Sequence, residues 1–272
     1  MLPLLSVAND WKRWLKNSTD GVFRWAERVR WIERLPAFSR DYARDYPQLR
    51  LLEENYPVIR EECLALIARR DRMTDMEALG GKYTKGGVHA IEWKTFAFKL
   101  GSFVPENCVL CPGTAALLRA TPGVYTAMFS LLEPRQHIAP HWGYWRGFVR
   151  YHLGIVIPGD NADRTCWMRV NADPAHNALA DKKLIENGER YYWKNGEGVI
   201  FDDTNLHEAR NDSDQARVVL FVDMRRRLPI LLRIYNEVCL FFARFDGALR
   251  TMRWNAIRPP LPETVGGPPS RR

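Results

Sequence analysis

The stretch HWGYWRGFVRYHLGIVIP, residues 141–158, sets two histidines and two arginines in a strongly apolar run. Within FVRYHLGIV the side chains alternate in the two-residue period of a β-strand, so Arg150 and His152, two positions apart, share one face. Polar groups turned into an apolar wall need partners, because an unpaired buried charge is costly. The stretch therefore reads as a barrel wall that delivers polar groups to one pocket, with His141 following Pro140 at its start.

Working outward, the pattern stays strand-like from about residue 93 to 224. Short runs such as VYTAMFSLL, TCWMRV, EGVIF and ARVVLFVDM are separated by Pro158-Gly159, Asn187-Gly188 and Asn195-Gly196. Many short strands with such punctuation predict a barrel or jelly roll. Upstream, YPVIREECLALIARR places Tyr56, Ile59, Cys63 and Ile67 at helical steps, with Pro57 suited to a first turn. Downstream of Arg225, Arg226 and Arg227, a helical stripe runs through Leu231, Ile234, Tyr235, Val238, Phe241, Phe242, Phe245 and Leu249. Two readings of that stripe stand open: packing on the barrel, or an interfacial membrane face. The expected organisation is a single domain, 1–272, that is mainly β with flanking helices. It divides into a helical N-terminal layer (1–90), a β core (91–227), and a helical C-terminal segment ending in a flexible Pro/Gly-rich tail (228–272).

With 272 residues, 46% hydrophobic and 26% charged, the chain fits neither the disordered nor the membrane class. No apolar run is long enough for an integral membrane span, and the first ten residues lack the basic start of a secretion signal, so the cytoplasm is the expected location. Cys63, Cys108, Cys111, Cys166 and Cys239 form no disulfide framework and are read as reduced, structural thiols. The net charge of +8 favours acidic partners, but no zinc finger or RNA-recognition signature points to nucleic acid.

The chemistry concentrates in the β region. His141 lies near its start and His207, in FDDTNLHEARN, near its end. Two neutral imidazoles from separate strands suit Fe, Zn, Cu or Ni. Arg217, in ARVVLF, either points into the barrel, where a guanidinium holds a carboxylate in two places, or faces outward and pairs with an acid. Asp202 and Asp203 are read as organising the turn to His207 through bonds to backbone amides.

These residues resemble a known family. FSLLEPRQHIAPHWGYWRGFVRYHLGIVIP, then YYWKNGEGVIFDDTNLHEARNDSDQARVVLFVDM, with NYPVIREE and Cys111-Pro112 upstream, is similar to the aspartyl/asparaginyl β-hydroxylases, a branch of the Fe(II)/2-oxoglutarate-dependent dioxygenases. The resemblance covers roughly residues 50 to 225 and implies a double-stranded β-helix, the cupin-like form of jelly roll. It implies Fe(II) held by His141 and His207, with 2-oxoglutarate and O2 as cosubstrates. Arg217 would hold the distal carboxylate of 2-oxoglutarate, assisted by Ser130. Arg150 and His152 would contact the cosubstrate's other end or the substrate, and Val219 would line the site. Trp142, Trp145 and Arg146, beside the first histidine, are candidate substrate residues.

Gly143 stands where the wider superfamily carries a metal-binding carboxylate. The resemblance makes that compatible with a two-histidine centre. Iron-dependent halogenases use a small residue there to admit chloride, and Asp202, Asp203 and Glu208 are alternative ligands. The implied activity is hydroxylation of a C–H bond, first at the β-carbon of an Asp/Asn-type residue in a peptide or small molecule bearing a carboxylate or amide. Alternatives are a lipid A-type acyl chain, reached through membrane-surface contact by the C-terminal helix, a halogenase, and a non-catalytic cupin-like binding module.

Overall fold

Strand alternation sorts the β region into two facing antiparallel sheets in the computed structural model, which describes residues 21–69, 72–80, 91–245 and 247–257. The strands are β1 (Thr74–Asp75), β2 (Trp93–Leu100), β3 (Ser102–Phe103), β4 (Val124–Leu132), β5 (His137–His141) and β6 (Phe148–Val156). They continue as β7 (Cys166–Asn171), β8 (Glu189–Tyr192), β9 (Gly198–Phe201), β10 (Leu206–Asn211) and β11 (Arg217–Arg225). The larger sheet runs β1-β2-β4-β11-β6-β9, with β3 on β2, and the smaller runs β5-β10-β7-β8. Strands β4 to β11 pass between the two sheets in the order of a double-stranded β-helix, the fold expected from the sequence.

The larger sheet is covered on both sides, and the two-residue period decides which side chain goes where. On β11, Val218, Leu220, Val222 and Met224 join Phe129, Leu131, Tyr151 and Leu153 in one apolar layer beneath Ile59, Cys63 and Leu118. Those last residues come from the helices Tyr56–Ile67 and Pro112–Ala120. Arg217, Val219, Phe221 and Asp223 alternate with them and face the barrel interior. The two covering helices are locked together where Glu62 accepts from the backbone nitrogens of Gly113 and Thr114, each at 2.7 Å. A carboxylate there meets unpaired N–H groups and the positive end of the second helix.

The segment expected to be a helical layer also supplies strand structure: β1 pairs with β2, and Ser39 bridges Ile200. Those short pairings lack the run of alternating residues that would mark them in sequence. At the other end, the helices Ile230–Ala243 and Gly247–Ile257 follow the barrel. Ala256 and Met252 pack with Met76, Leu79, Leu100, Met128 and Phe221 and close one end of it. The first of these helices docks through Leu232, Asn236, Cys239 and Leu240. Its aliphatic and phenylalanine stripe, Leu231, Ile234, Val238, Phe241, Phe242 and Phe245, is exposed. The expected Pro/Gly-rich tail lies outside the described residues. All five cysteines are buried and free, and burial pushes the Cys111 thiol up to about 12.

The layer beneath the helices is where truncation should cost most. Phe129 is fully buried and meets Phe98 edge-on at 5.0 Å. Phe129→Ala is expected to destabilise the protein by about 3–5 kcal/mol in urea unfolding. A loss under about 1 kcal/mol would show that the layer is not packed as described.

Candidate active site

His141 and His207 sit directly opposite each other across the β5–β10 ladder, with ring centroids 4.1 Å apart. The backbone fixes both rings. Nδ1 of His141 donates to the Ala139 carbonyl at 2.8 Å, and Nδ1 of His207 donates to the Asn205 carbonyl at 2.8 Å. Each ring then carries its proton on Nδ1 and keeps a lone pair on Nε2, the arrangement a metal ligand needs. Desolvation lowers His141 to about 4 and holds His207 well below its ordinary value, so both are neutral.

The turn before His207 is built locally. Asp202 accepts from the Thr204 nitrogen at 3.0 Å and its hydroxyl at 2.5 Å, and Asn177 accepts from the Leu206 nitrogen at 2.8 Å. Asp202 thus does the turn-forming work expected of it. Asp203 does not: its carboxyl reaches Arg150 Nη1 at 2.8 Å.

Arg217 lies deep in the barrel, 2% exposed, stacked over the Trp193 ring at 4.3 Å. Its Nε has no hydrogen-bond partner among the described residues, and burial pulls its pKa down to about 10. The outward-facing alternative for this arginine is therefore set aside. His152 shares the same interior, packed against Phe201, Phe221 and Trp193 at 5.1, 5.4 and 6.0 Å. Among the described residues, both its ring nitrogens and Trp193 Nε1 are buried without partners, and burial holds His152 neutral. Ser130 lies opposite Val219 in the ladder and accepts from Trp93 Nε1 at 2.9 Å. Val219 itself is fully buried in the apolar layer around Trp193.

A guanidinium Nε, an imidazole and an indole buried without partners among the described residues would be a heavy penalty in a barrel that stayed empty. They fit an acceptor-rich anion, and a keto dicarboxylate has that chemistry. With two neutral imidazoles beside them, the residues present fit a ferrous ion together with 2-oxoglutarate.

Gly143 explains the missing third ligand. A Cβ built on it would lie 1.9 Å from Asp203 Oδ2 and 2.8 Å from the Asp203 carbonyl, and its nitrogen donates to that carbonyl at 2.7 Å. The place of a side chain at 143 is filled by Asp203. Among the described residues no group of three or more His, Cys, Asp or Glu side chains could hold a metal. Each acid considered as a substitute is engaged elsewhere: Asp203 with Arg150, Asp202 with Arg226 at 3.4 Å, and Glu208 with His137 at 2.8 Å. His137 is half-buried in that pair.

Arg150 is clamped from both sides. Its Nε and Nη2 donate to Asp223 at 3.0 and 2.9 Å, and its guanidinium stacks on Phe221 at 4.1 Å. Burial pushes Asp203 up to about 7 against the pull of Arg150.

A cavity of about 340 Å³ opens from this cluster, with His141, Arg150 and Asp203 at one side. Met76, Leu100, Met128, Phe148, Phe221, Leu240 and Met252 make most of its remaining wall apolar. Trp142 and Trp145 line it, their indoles donating to Asn177 at 3.0 Å and Asn236 at 2.9 Å. Arg146 is the correction. It lines a separate cleft of about 210 Å³, where its guanidinium is buried against Glu27 and Asp202 at 3.3 and 3.6 Å. The chain turns between Trp145 and Phe148, so neighbours in sequence face different cavities.

Sequence reasoning missed Asp223, Trp193 and the C-terminal helices as parts of the site. Asp223 was legible in principle: it lies an even number of residues after Arg217 on one strand and therefore shares its face. Trp193 precedes a turn and carries no periodic signal.

A sequence model of the aspartyl/asparaginyl beta-hydroxylase family matches residues 53–227, and the chain belongs to that family. It is 33% identical over 202 residues to the ornithine lipid ester-linked acyl 2-hydroxylase of Rhizobium tropici, covering 74% of this chain and 65% of that protein. It is 30% identical over 203 residues to aspartate beta-hydroxylase domain-containing protein 2 of Xenopus tropicalis, covering 71% and 48%. Against the aspartyl/asparaginyl beta-hydroxylase of Homo sapiens the identity is 27% over 195 residues, covering 66% and 22%. The chain thus spans from 65% down to 22% of the lengths of these relatives.

Two measurements check the site. Gly143→Ala is expected to destabilise the protein by about 1–3 kcal/mol through the clash with Asp203, and Gly143→Ala/Asp203→Ala to be less destabilised than the sum of the single variants. Strict additivity would mean that the Asp203 carboxyl is not the obstacle. The second concerns pH. His141, His152 and His207 are lowered in the folded state, so between about pH 4 and 6.5 the unfolded chain binds more protons at these sites and stability rises with pH. Asp203, raised to about 7, opposes this over much of the same window by keeping a proton that the unfolded chain releases. The metal-free protein should therefore gain up to about 2–3 kcal/mol per pH unit there, and His152→Leu should flatten the slope. A flat wild-type profile would contradict the neutral, buried imidazoles.

Proposed function

We propose that this chain is an iron(II)- and 2-oxoglutarate-dependent dioxygenase that hydroxylates an unactivated C–H bond. The observation that carries the reading is the convergence of two backbone-fixed imidazoles with a buried arginine that has no carboxylate partner among the described residues. His141 and His207 would hold the iron. When bound with 2-oxoglutarate and O2, the iron supplies the oxidising chemistry, one oxygen atom entering the substrate while the keto acid leaves as succinate and carbon dioxide.

The protein's own part is placement and exclusion. Arg217 binds the distal carboxylate of 2-oxoglutarate through charge-assisted hydrogen bonds, with Ser130 nearby on the facing strand. His152, neutral and held between aromatic rings, offers one N–H to the other end of the cosubstrate. Phe201, Phe221 and Trp193 keep water from the reacting region, which strengthens these contacts. Arg150, held by Asp203 and Asp223, fixes the wall beside the first imidazole.

The relatives suggest which carbon reacts. The β-carbon of aspartate and the second carbon of an ester-linked acyl chain both adjoin a carbonyl group, and we assign attack to that position. An Asp/Asn-type residue in a peptide or small molecule is the first substrate class, supported by the family. A lipid acyl chain is the second, and one observation favours it: the cavity beside His141 is mostly apolar, and its nearest guanidinium, on Arg150, already holds two carboxyl groups. The carboxyl of Asp203 against Gly143 weighs against a chloride site there. The location we propose is the cytoplasm, where 2-oxoglutarate is at hand.

The test is succinate release coupled to mass spectrometry over Asp/Asn peptides, amino-acid derivatives and ester-linked acyl lipids, with and without chloride. Addition of one oxygen atom is the expected product. A chlorinated product, or no turnover with any substrate despite iron and 2-oxoglutarate binding, would overturn the reading. His141→Ala and His207→Ala should lose iron(II) binding. Arg217→Ala should keep it while weakening 2-oxoglutarate about 10–100-fold, the worth of a charge-assisted hydrogen bond.

A further inference from the structure

The helix Ile230–Ala243 and the residues just after it have two apolar sides, and the barrel uses one of them. Leu232, Cys239 and Leu240 are buried, whereas Leu231, Ile234, Val238, Phe241, Phe242 and Phe245 are between 47% and 63% exposed. Their spacing of three and four residues makes one continuous stripe. A solvent-facing helix in this position would carry polar side chains, so a row of six large apolar groups marks a contact surface.

Two observations identify what it meets. The first is charge. Residues 230–257 carry Arg233, Arg244, Arg250 and Arg253 against Glu237 and Asp246, and Glu237 is paired with Arg225. Arg233 and Arg244 are exposed beside the stripe, with Arg244 lying over the Phe241 and Phe245 rings at 4.5 and 5.4 Å. Apolar rings topped by guanidinium groups suit an interface where hydrocarbon gives way to anionic headgroups. Trp254, on the following helix, is 53% exposed, and tryptophan favours that same boundary. The second is continuity with the catalytic cavity. Leu240 and Ala243 of the first helix, with Leu249 and Met252 of the second, form part of the cavity wall that also contains His141. The elements that present the stripe outward also border the space where the reacting carbon would lie.

We infer that the exposed stripe and its arginines are a docking face for the surface of an anionic lipid bilayer, which places the catalytic cavity next to the acyl chains of membrane lipids. The protein rests on the surface and does not cross it: among the described residues no helix is long and apolar enough to span a membrane. The inference rests on the acyl-chain reading of the cavity.

The experiment is co-sedimentation of the full chain with vesicles of phosphatidylglycerol and phosphatidylcholine, and with phosphatidylcholine alone. Binding is expected to the anionic vesicles and to weaken in high salt. Phe241→Ser/Phe245→Ser and, separately, Arg233→Glu/Arg244→Glu should each reduce it by about tenfold or more, with circular dichroism and 2-oxoglutarate binding unchanged. Failure to bind anionic vesicles, or unaltered binding by both variants, would overturn the inference. So would a dimer in sedimentation velocity that the phenylalanine variant abolishes, since a second copy would then own the face. Binding that appears only after residues 258–272 are removed would overturn it too, by making the chain's own tail the occupant. Turnover of a detergent-solubilised acyl lipid separates the two proposals. Turnover without vesicle binding sinks the docking face alone, and vesicle binding without acyl product sinks the acyl reading alone.

Discussion

A guanidinium held inside an apolar barrel, with no carboxylate partner among the described residues, is the constraint around which this molecule is arranged. Arg217 is almost as buried as the valines of its strand, and while one face stacks on Trp193, its Nε has no partner among the described residues. Such a group is tolerable only if the fold is stabilised elsewhere and a ligand completes it. The stabilisation comes from the other side of the same strand, where the even-numbered residues of β11 enter the fully buried layer beneath the helices. The two-residue period ties these functions together: the side chains that hold the sheet to its helices and those that equip the pocket are successive residues.

The two facing histidines show the same economy of position. β5 and β10 bring His141 and His207 opposite one another, and carbonyls two residues earlier set both tautomers. No distant side chain is needed to orient either ring. Beside them the design is reversed, because Arg150 depends on Asp203 from the turn before β10 and on Asp223 from β11. Glycine at 143 is what lets Asp203 come in so close. The missing third carboxylate and the clamped arginine are thus two consequences of one packing decision.

The C-terminal helices join the site to the surface. They close one end of the barrel through Met252 and Ala256, border the cavity through Leu240 and Leu249, and turn a second apolar face outward.

Much of this was legible in the residues themselves. Alternation and turn dipeptides predicted the β core, and the ordered set of His141, Arg150-Tyr151-His152, Phe201-Asp202-Asp203, His207 and Arg217 carried the family resemblance, because periodicity and motif order are read directly along the chain. The tertiary structure alone decided that Asp203 fills the place beside Gly143, that Arg146 turns to Glu27 and Asp202, and that the C-terminal stripe faces outward. In each case the partner comes from a distant segment. A hydrophobic pattern fixes the period of an element, but which face is covered depends on what the rest of the chain brings to it.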